Sequence, residues 1–112
     1  MTTMPPLGQY VWLAGPALDC EIAVRVMGYT KQGKIWYSRP NFQESTGDPP
    51  CFSSTILRAW EVADKLGIWF GRFTDGEYWA FPSVSDYLSG KVSKASTASL
   101  AICQCALKMV GA

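Results

Sequence analysis

Histidine is absent from all 112 residues of this sequence. Its absence excludes Ser-His-Asp and Cys-His nucleophile systems, metal sites built on imidazole, and the most common general base of enzymes. The glycine-containing stretch 28–34 does not supply a phosphate-binding loop instead, because Ile35 stands where a P-loop needs Ser or Thr for Mg²⁺. That stretch also follows a predicted helix and precedes a predicted strand, which is the reverse of the order that a P-loop requires.

The sequence also lacks basic runs and long apolar runs. No two Lys or Arg residues are adjacent and the net charge is +1, whereas nucleic-acid-binding proteins usually concentrate positive charge on one face. No apolar segment approaches the ~20 residues that span a bilayer, and residues 1–6 lack the basic and apolar regions of a signal peptide. We therefore expect a cytoplasmic protein without a generic nucleic-acid or membrane partner, whose four cysteines are thiols.

The composition is that of one folded domain. Apolar residues make up 48% of the chain and charged residues 17%, which is far from the composition of a disordered protein. Five residues each of Phe, Trp and Tyr supply large side chains for a small core. Because the chain is too short for two independent cores, we expect a single domain over residues 1–112, with residues 1–14 docked as an N-terminal leader.

Hydrophobic periodicity predicts three helices. The first begins at Pro16 and ends at Gly28, and its apolar side chains recur at a spacing of four residues. The second covers about residues 54–66, with Ser53 as its N-cap. The third covers about residues 97–110 and is apolar on nearly all sides, which is typical of a helix at the centre of a core or against another subunit.

The strands are predicted from aromatic and β-branched runs. Residues 34–37 form one candidate, and residues 68–73 and 78–81 flank an Asp-Gly turn that is a hairpin signal. Residues 91–95 add a short edge strand, while 38–51 and 83–90 are predicted loops. The order of elements predicts an α/β fold of the α+β type: a small, mainly antiparallel sheet sandwiched between helices, with three helices and three to four strands.

Residues 13–29, 52–66 and 95–107 together resemble the phage ABA sandwich domain family, which comprises small phage and prophage proteins of largely unassigned function. The most characteristic pieces are VMGY at 26–29, AWEV at 59–62 and LAIC at 100–103. Residues 43–51 and 83–94 depart from the family pattern. The resemblance implies an α-β-α sandwich and, for a phage-encoded protein, a place in the host cytoplasm. The family has no established catalytic residues, so no site is carried over.

The cysteines and carboxylates do not group into a catalytic or metal site. Cys103 and Cys105 lie about 200° apart around the third helix and cannot ligate one metal together. With Cys20, they are interpreted as small buried apolar side chains, and Cys51 in the proline-rich loop is the one thiol expected to be exposed. The acidic residues form no spaced pair for acid–base work. We therefore expect no metal, no cofactor, no catalytic residues and no enzyme activity.

Aromatic residues lie on the predicted strands, where successive side chains face opposite ways, and Arg39 and Arg72 lie close to them in sequence. Two interpretations stay open. Either all the rings are core, or one row lines a pocket in which rings stack on a base and guanidinium groups hold phosphate. In the second case the candidate ligand-binding residues are Trp36, Tyr37, Arg39, Arg72, Tyr78 and Trp79.

The first functional hypothesis is a non-enzymatic phage accessory protein. It would act as an anti-defence protein that sequesters a nucleotide-type immune signal, using pockets formed by loops 38–51 and 83–94. A homo-oligomer would form through the apolar third helix or the first segment. The alternative is a protein-binding module that inhibits a host factor or serves phage assembly, with Trp12, Trp36 or Phe42 as its main contacts. A carboxylate- or metal-dependent hydrolase is a third hypothesis, for which no residues can be grouped.

Overall fold

A computed structural model describes residues 13–89 and 92–110 of the chain. Most of the predicted leader, including Trp12, lies outside the described residues. In chain order the elements are α1 (Pro16–Glu21), β1 (Thr30–Gln32), β2 (Ile35–Arg39), β3 (Phe42–Thr46), α2 (Ile56–Leu66), β4 (Trp69–Arg72), β5 (Tyr78–Phe81), α3 (Val84–Leu88), β6 (Ser93–Ala95) and α4 (Ala98–Met109). The first helix changes after Glu21 into a π-helical segment, Ile22–Val26. The predicted α+β fold class is confirmed.

The strands form two antiparallel sheets of three strands each, where the sequence predicted one. Sheet one joins β1, β2 and β3 in chain order, and sheet two joins β4, β5 and β6 in chain order. The predicted hairpin between β4 and β5 is present. At its turn the amide of Phe73 donates to the carbonyl of Glu77 over 2.6 Å, and the amide of Glu77 donates to Asp75 Oδ1 over 3.0 Å.

The predicted loops contain regular structure that the sequence analysis missed. The prolines of residues 38–51 predict a loop, but Pro40 and Asn41 form the turn between β2 and β3, and Asn41 has a φ of 65°. Residues 42–46 then pair with β2 as β3, and no proline interrupts the ladder. The second predicted loop contains α3, which Ser83 caps by accepting the amide of Asp86 over 3.2 Å.

The central element of the core is α4. It packs against sheet two on one side and against α2 and the π-helical segment on others. Thr97 caps its N-terminus and accepts the amide of Leu100 over 3.2 Å. Most of its apolar surface is covered within one chain, and the predicted oligomer through this helix stays a prediction. The buried residues of α4 are Ser99, Ala101, Ile102, Cys103, Cys105, Ala106 and Leu107.

The two faces of sheet two are packed differently. On the α4 side it carries the buried small residues Ala80, Ser93 and Ala95, which let the helix approach closely. The other face carries an aromatic cluster in which the rings of Trp79 and Phe81 are 4.9 Å apart at 17°. Trp69 is nearly parallel to Phe81 at 6.5 Å. This second face is therefore covered by its own aromatic side chains and by Tyr87 of the short helix α3, whose ring lies 5.0 Å from that of Phe81.

One glycine in sheet two has a packing role. Gly71 is the cross-strand partner of Trp79, and a Cβ at position 71 would overlap the indole ring of Trp79. The backbone of Gly71 does not require a positive φ, so the constraint is the close approach of the ring. The aromatic cluster depends on this missing side chain.

A buried carboxylate joins the first helix to the segment before α2. Asp19 is 3% exposed, and its Oδ1 accepts both the amide and the hydroxyl of Ser53, each over 2.7 Å. The Ser53 hydroxyl oxygen accepts the amide of Gly15 over 2.9 Å. Because a buried charge is costly unless it is hydrogen-bonded, this network fixes the start of α1 against Ser53.

We predict that Gly71→Ala destabilises the fold by about 1–3 kcal/mol, the usual cost of forcing a methyl group into a packed site. Urea unfolding monitored by circular dichroism measures the change. In a Trp79→Leu background the same substitution should cost much less, because the overlapping ring is gone. Equal costs in both backgrounds would show that the indole is not the constraint.

We predict that Ser53→Ala lowers the free energy of unfolding by about 1.5–3 kcal/mol, since it removes a hydroxyl that donates to a buried carboxylate. The matched control is Ser54→Ala at the neighbouring exposed serine, which should stay within about 0.5 kcal/mol of the wild type. If the two variants unfold at the same urea concentration, the network contributes no net stability.

Candidate functional site

A groove lies at the end of sheet one where β2 turns into β3. Its volume is about 550 Å³. It is lined by Gly28 before β1, by side chains of β1 and β2, and by the turn that follows. The lining residues are Gly28, Thr30, Gln32, Tyr37, Ser38, Arg39, Pro40 and Asn41.

Pairing within sheet one places these residues together. Thr30 pairs with Tyr37 across β1 and β2, so both belong to the same end of the sheet. The register between β2 and β3 shifts twice, between Trp36 and Tyr37 and between Tyr37 and Arg39. A bulge bends a strand and re-aims its side chains, and here the consecutive residues 37–39 all line the groove.

The described lining of the groove is polar and carries positive charge. Arg39 is its one charged residue, and no described carboxylate forms an ion pair with it. The guanidinium carbon of Arg39 lies 4.7 Å from the ring centre of Phe42, a cation–π contact that orients it. Tyr37 adds a ring and a hydroxyl, and Thr30, Gln32, Ser38 and Asn41 add further donors. The arrangement suits an anion that has a planar part.

The rest of sheet one anchors the groove to the body of the protein. Trp36, 3% exposed, joins the core, and its Nε1 donates to the carbonyl of Gly47 over 3.2 Å. From β3, the largely buried carboxylate of Glu44 accepts a hydrogen bond from Arg58 of α2 over 2.9 Å. These two contacts tie β2 to the segment after β3, and β3 to α2.

The structure brings together two of the six residues predicted to bind a ligand. Tyr37 and Arg39 line the groove, whereas Trp36 is a core residue behind it. The other three belong to sheet two and do not line the groove: Arg72 is exposed at the end of β4, Tyr78 packs on the core, and Trp79 joins the aromatic cluster.

Sequence reasoning missed several lining residues. Thr30 and Gln32 lie on β1, a polar strand of three residues without the apolar alternation that predicts strands. Asn41 was detectable in principle, because Pro-Asn is a turn signal and Asn tolerates positive φ. A turn at that point would have predicted a hairpin and hence a shared face with β2.

The thiols are in different environments. All four cysteines are free, and Cys51 is exposed as predicted. Burial raises the pKa of Cys103 well above its usual range. Burial raises the pKa of Cys105 to about 11, an effect that Lys108 opposes and Asp86 reinforces. In the described residues, no group of three or more Cys, Asp or Glu side chains is arranged to hold a metal ion.

We predict that an alkylating reagent at pH 8 modifies Cys51 readily and leaves Cys103 and Cys105 unmodified. The thiolate is the reactive form, and a raised pKa keeps these two thiols protonated until the pH approaches about 11 for Cys105. Peptide mass spectrometry locates the label, and urea-unfolded protein is the control in which all four sites react. Rapid labelling of Cys105 in the folded protein at pH 8 would contradict this packing.

Comparisons with known proteins agree with this architecture. The sequence model of the phage ABA sandwich domain matches residues 21–107. The 2.0 Å crystal structure of a phage protein from Bacillus cereus superposes with a TM-score of 0.59 at 23% identity, covering 88% of this chain and 94% of that one. This similarity shows a shared fold. A comparison with the curated proteins finds no match. No helix in the described part of the chain is long and apolar enough to cross a membrane. The chain belongs to the phage ABA sandwich domain family.

Proposed function

We propose that this phage-family protein is a non-catalytic binding protein, and that the groove at Tyr37 and Arg39 holds a small anionic ligand of nucleotide type. The observation that carries the proposal is the position of Arg39, which lies beside an aromatic ring in a groove whose described lining has no carboxylate. A guanidinium group binds phosphate oxygens through two parallel hydrogen bonds. A phosphate would therefore occupy the Arg39 end of the groove.

The size and shape of the groove support a ligand with a planar part. About 550 Å³ lies within the range of small-molecule sites. Tyr37 offers a ring on which a base can stack, an interaction worth about 1–3 kcal/mol for each base. The amides of Gln32 and Asn41 and the hydroxyls of Thr30 and Ser38 can pair with the polar edge of a base or with a ribose.

Binding without turnover is the simplest function for this set of residues. The described lining supplies hydrogen-bond donors and a cation, and it offers no carboxylate, thiol or imidazole as general base. For a phage protein, a ligand that is held and not converted would be removed from the host. We therefore propose an anti-defence role in which the protein sequesters a nucleotide-type immune signal.

Titration calorimetry with a panel of cyclic and linear signalling nucleotides tests the proposal. The wild type should bind at least one member of the panel at micromolar concentration or better. Arg39→Gln should weaken that binding by about tenfold to a hundredfold, the value of one or two charge-assisted hydrogen bonds. Tyr37→Leu should weaken it less, by removing the stacking ring, and added salt should weaken binding to the wild type.

The matched control is Lys34→Gln, which removes one positive charge from the opposite end of sheet one, where Lys34 is exposed. It should bind as the wild type does. Native mass spectrometry of the protein purified from bacterial cells identifies any ligand that is carried along. The proposal fails if no member of the panel binds, or if Arg39→Gln and Lys34→Gln have the same affinity.

The alternative, a module that binds a host factor or serves phage assembly, has less support from its predicted contact residues. Trp36 is 3% exposed and cannot contact a partner without unfolding of sheet one. Phe42 is exposed but lies under the guanidinium of Arg39. Trp12 is outside the described residues. The exposed tryptophans of the described chain are Trp60 and Trp69, which belong to a different surface.

A further inference from the structure

The outer edge of β4 has little of the protection that sheet edges usually have, since its one charged residue, Arg72, lies at its end. In the described chain β4 pairs only with β5, so one side of the strand has no partner. Edge strands commonly carry charged residues or proline that discourage pairing with another chain. The opposite edge of sheet two follows that rule, because Lys94 lies at the middle of β6. At the middle of β4 are Phe70 and Gly71, and its first residue, Trp69, is 58% exposed.

The hairpin geometry identifies the backbone groups at this free edge. The amide of Phe73 donates to Glu77 across the β4–β5 pair, and the register continues regularly from Arg72 with Tyr78 to Trp69 with Phe81. Successive residues of a strand direct their N–H and C=O groups to opposite sides. The backbone groups of Phe70 and Arg72 therefore point outward at the free edge.

The outward backbone groups of Phe70 and Arg72 are self-complementary: they can pair with the same groups of a second copy. If a second β4 runs antiparallel across a two-fold axis at Gly71, each Phe70 faces Arg72 of the second copy as a hydrogen-bonded pair. The two Gly71 residues then form the closer, non-hydrogen-bonded pair on the axis, where small residues fit best. Trp69 faces Phe73 of the second copy on the side of the aromatic cluster. The register keeps each face of the sheet continuous across the axis.

Charged residues beside the free edge of β4 are also complementary between the two copies. A shallow groove of about 560 Å³ runs between α2 and β4, lined by Trp60, Asp64, Trp69 and Phe70 among others. Asp64 and Arg72 take part in no described ion pair. In the antiparallel pairing, Arg72 of the second copy lies beside Phe70, at the edge of the groove that contains Asp64. The two-fold axis makes this contact twice.

We propose that the free edge of β4 is a homodimer interface, in which two copies join their second sheets into one six-stranded sheet and Arg72 of each pairs with Asp64 of the other. The exposed rings of Trp60 and Trp69 become covered in this dimer. Tryptophan contributes most to the binding free energy of an interface when its ring is fully desolvated. The proposal goes beyond ligand binding and uses none of the residues that line the Tyr37–Arg39 groove.

Size-exclusion chromatography with light scattering tests the interface. The wild type should have twice the chain mass of 12.3 kDa at micromolar concentration. Arg72→Asp and Asp64→Arg should each raise the dimer dissociation constant at least tenfold, because each brings like charges together. The double variant D64R/R72D restores opposite charges and should recover the dimer. Lys34→Asp, the same charge change at an exposed site on sheet one, should stay dimeric.

Arg72→Pro tests the strand pairing independently of charge. It removes an outward N–H that no strand in the described chain uses, and proline is tolerated at the free side of an edge strand. This variant should be monomeric with an unchanged circular dichroism spectrum. The proposal is overturned if the wild type is monomeric, if a dimer persists in Arg72→Asp and Arg72→Pro, or if the double variant stays monomeric. A partner protein that binds Trp60 and Trp69 of a monomeric chain would also overturn it.

Discussion

Burial of α4 is the packing interaction on which the arrangement of the other elements depends. This helix contacts sheet two, α2 and the π-helical segment, and Ala101, Ile102 and Ala106 are completely buried among them. Small residues on the facing strands allow that approach. Sheet one is not part of this layer. It is held through Trp36 and the Glu44–Arg58 ion pair, so the groove at Tyr37 lies on a smaller sheet attached to the core around α4.

Sequence patterns predicted those helices and strands whose buried residues recur at regular spacing. The faces of α2 and α4 and the β4–β5 hairpin follow from periodicity and from an Asp-Gly turn, which are local signals. The same rules missed β1 and β3, because all of β1 and most of β3 is exposed, and Phe42 is the one apolar residue in the two strands. Division into two sheets was also not predictable, since no local pattern shows whether the strands before and after α2 share a sheet.

The candidate site was predictable only where strand residues are neighbours in sequence. Tyr37 and Arg39 were predicted together because the arginine follows the aromatic strand segment by only two positions, and the structure extends β2 to include it. Arg72, Tyr78 and Trp79 were joined to them on the assumption of a single sheet, and they belong to the other sheet. Trp79 has a packing role in sheet two, because its ring lies directly against Gly71. Composition alone cannot separate a ring that fills a core from one that faces a ligand.

Amide chemical-shift mapping by NMR tests most directly the claim that the Tyr37–Arg39 groove is a ligand site. On addition of a nucleotide that binds, the largest amide shifts are expected at Thr30, Gln32, residues 37–39 and Asn41, with sheet two and α2 little affected. Shifts concentrated at Trp60, Trp69 and Arg72, or no shifts at saturating concentrations of every nucleotide in the panel, would contradict it.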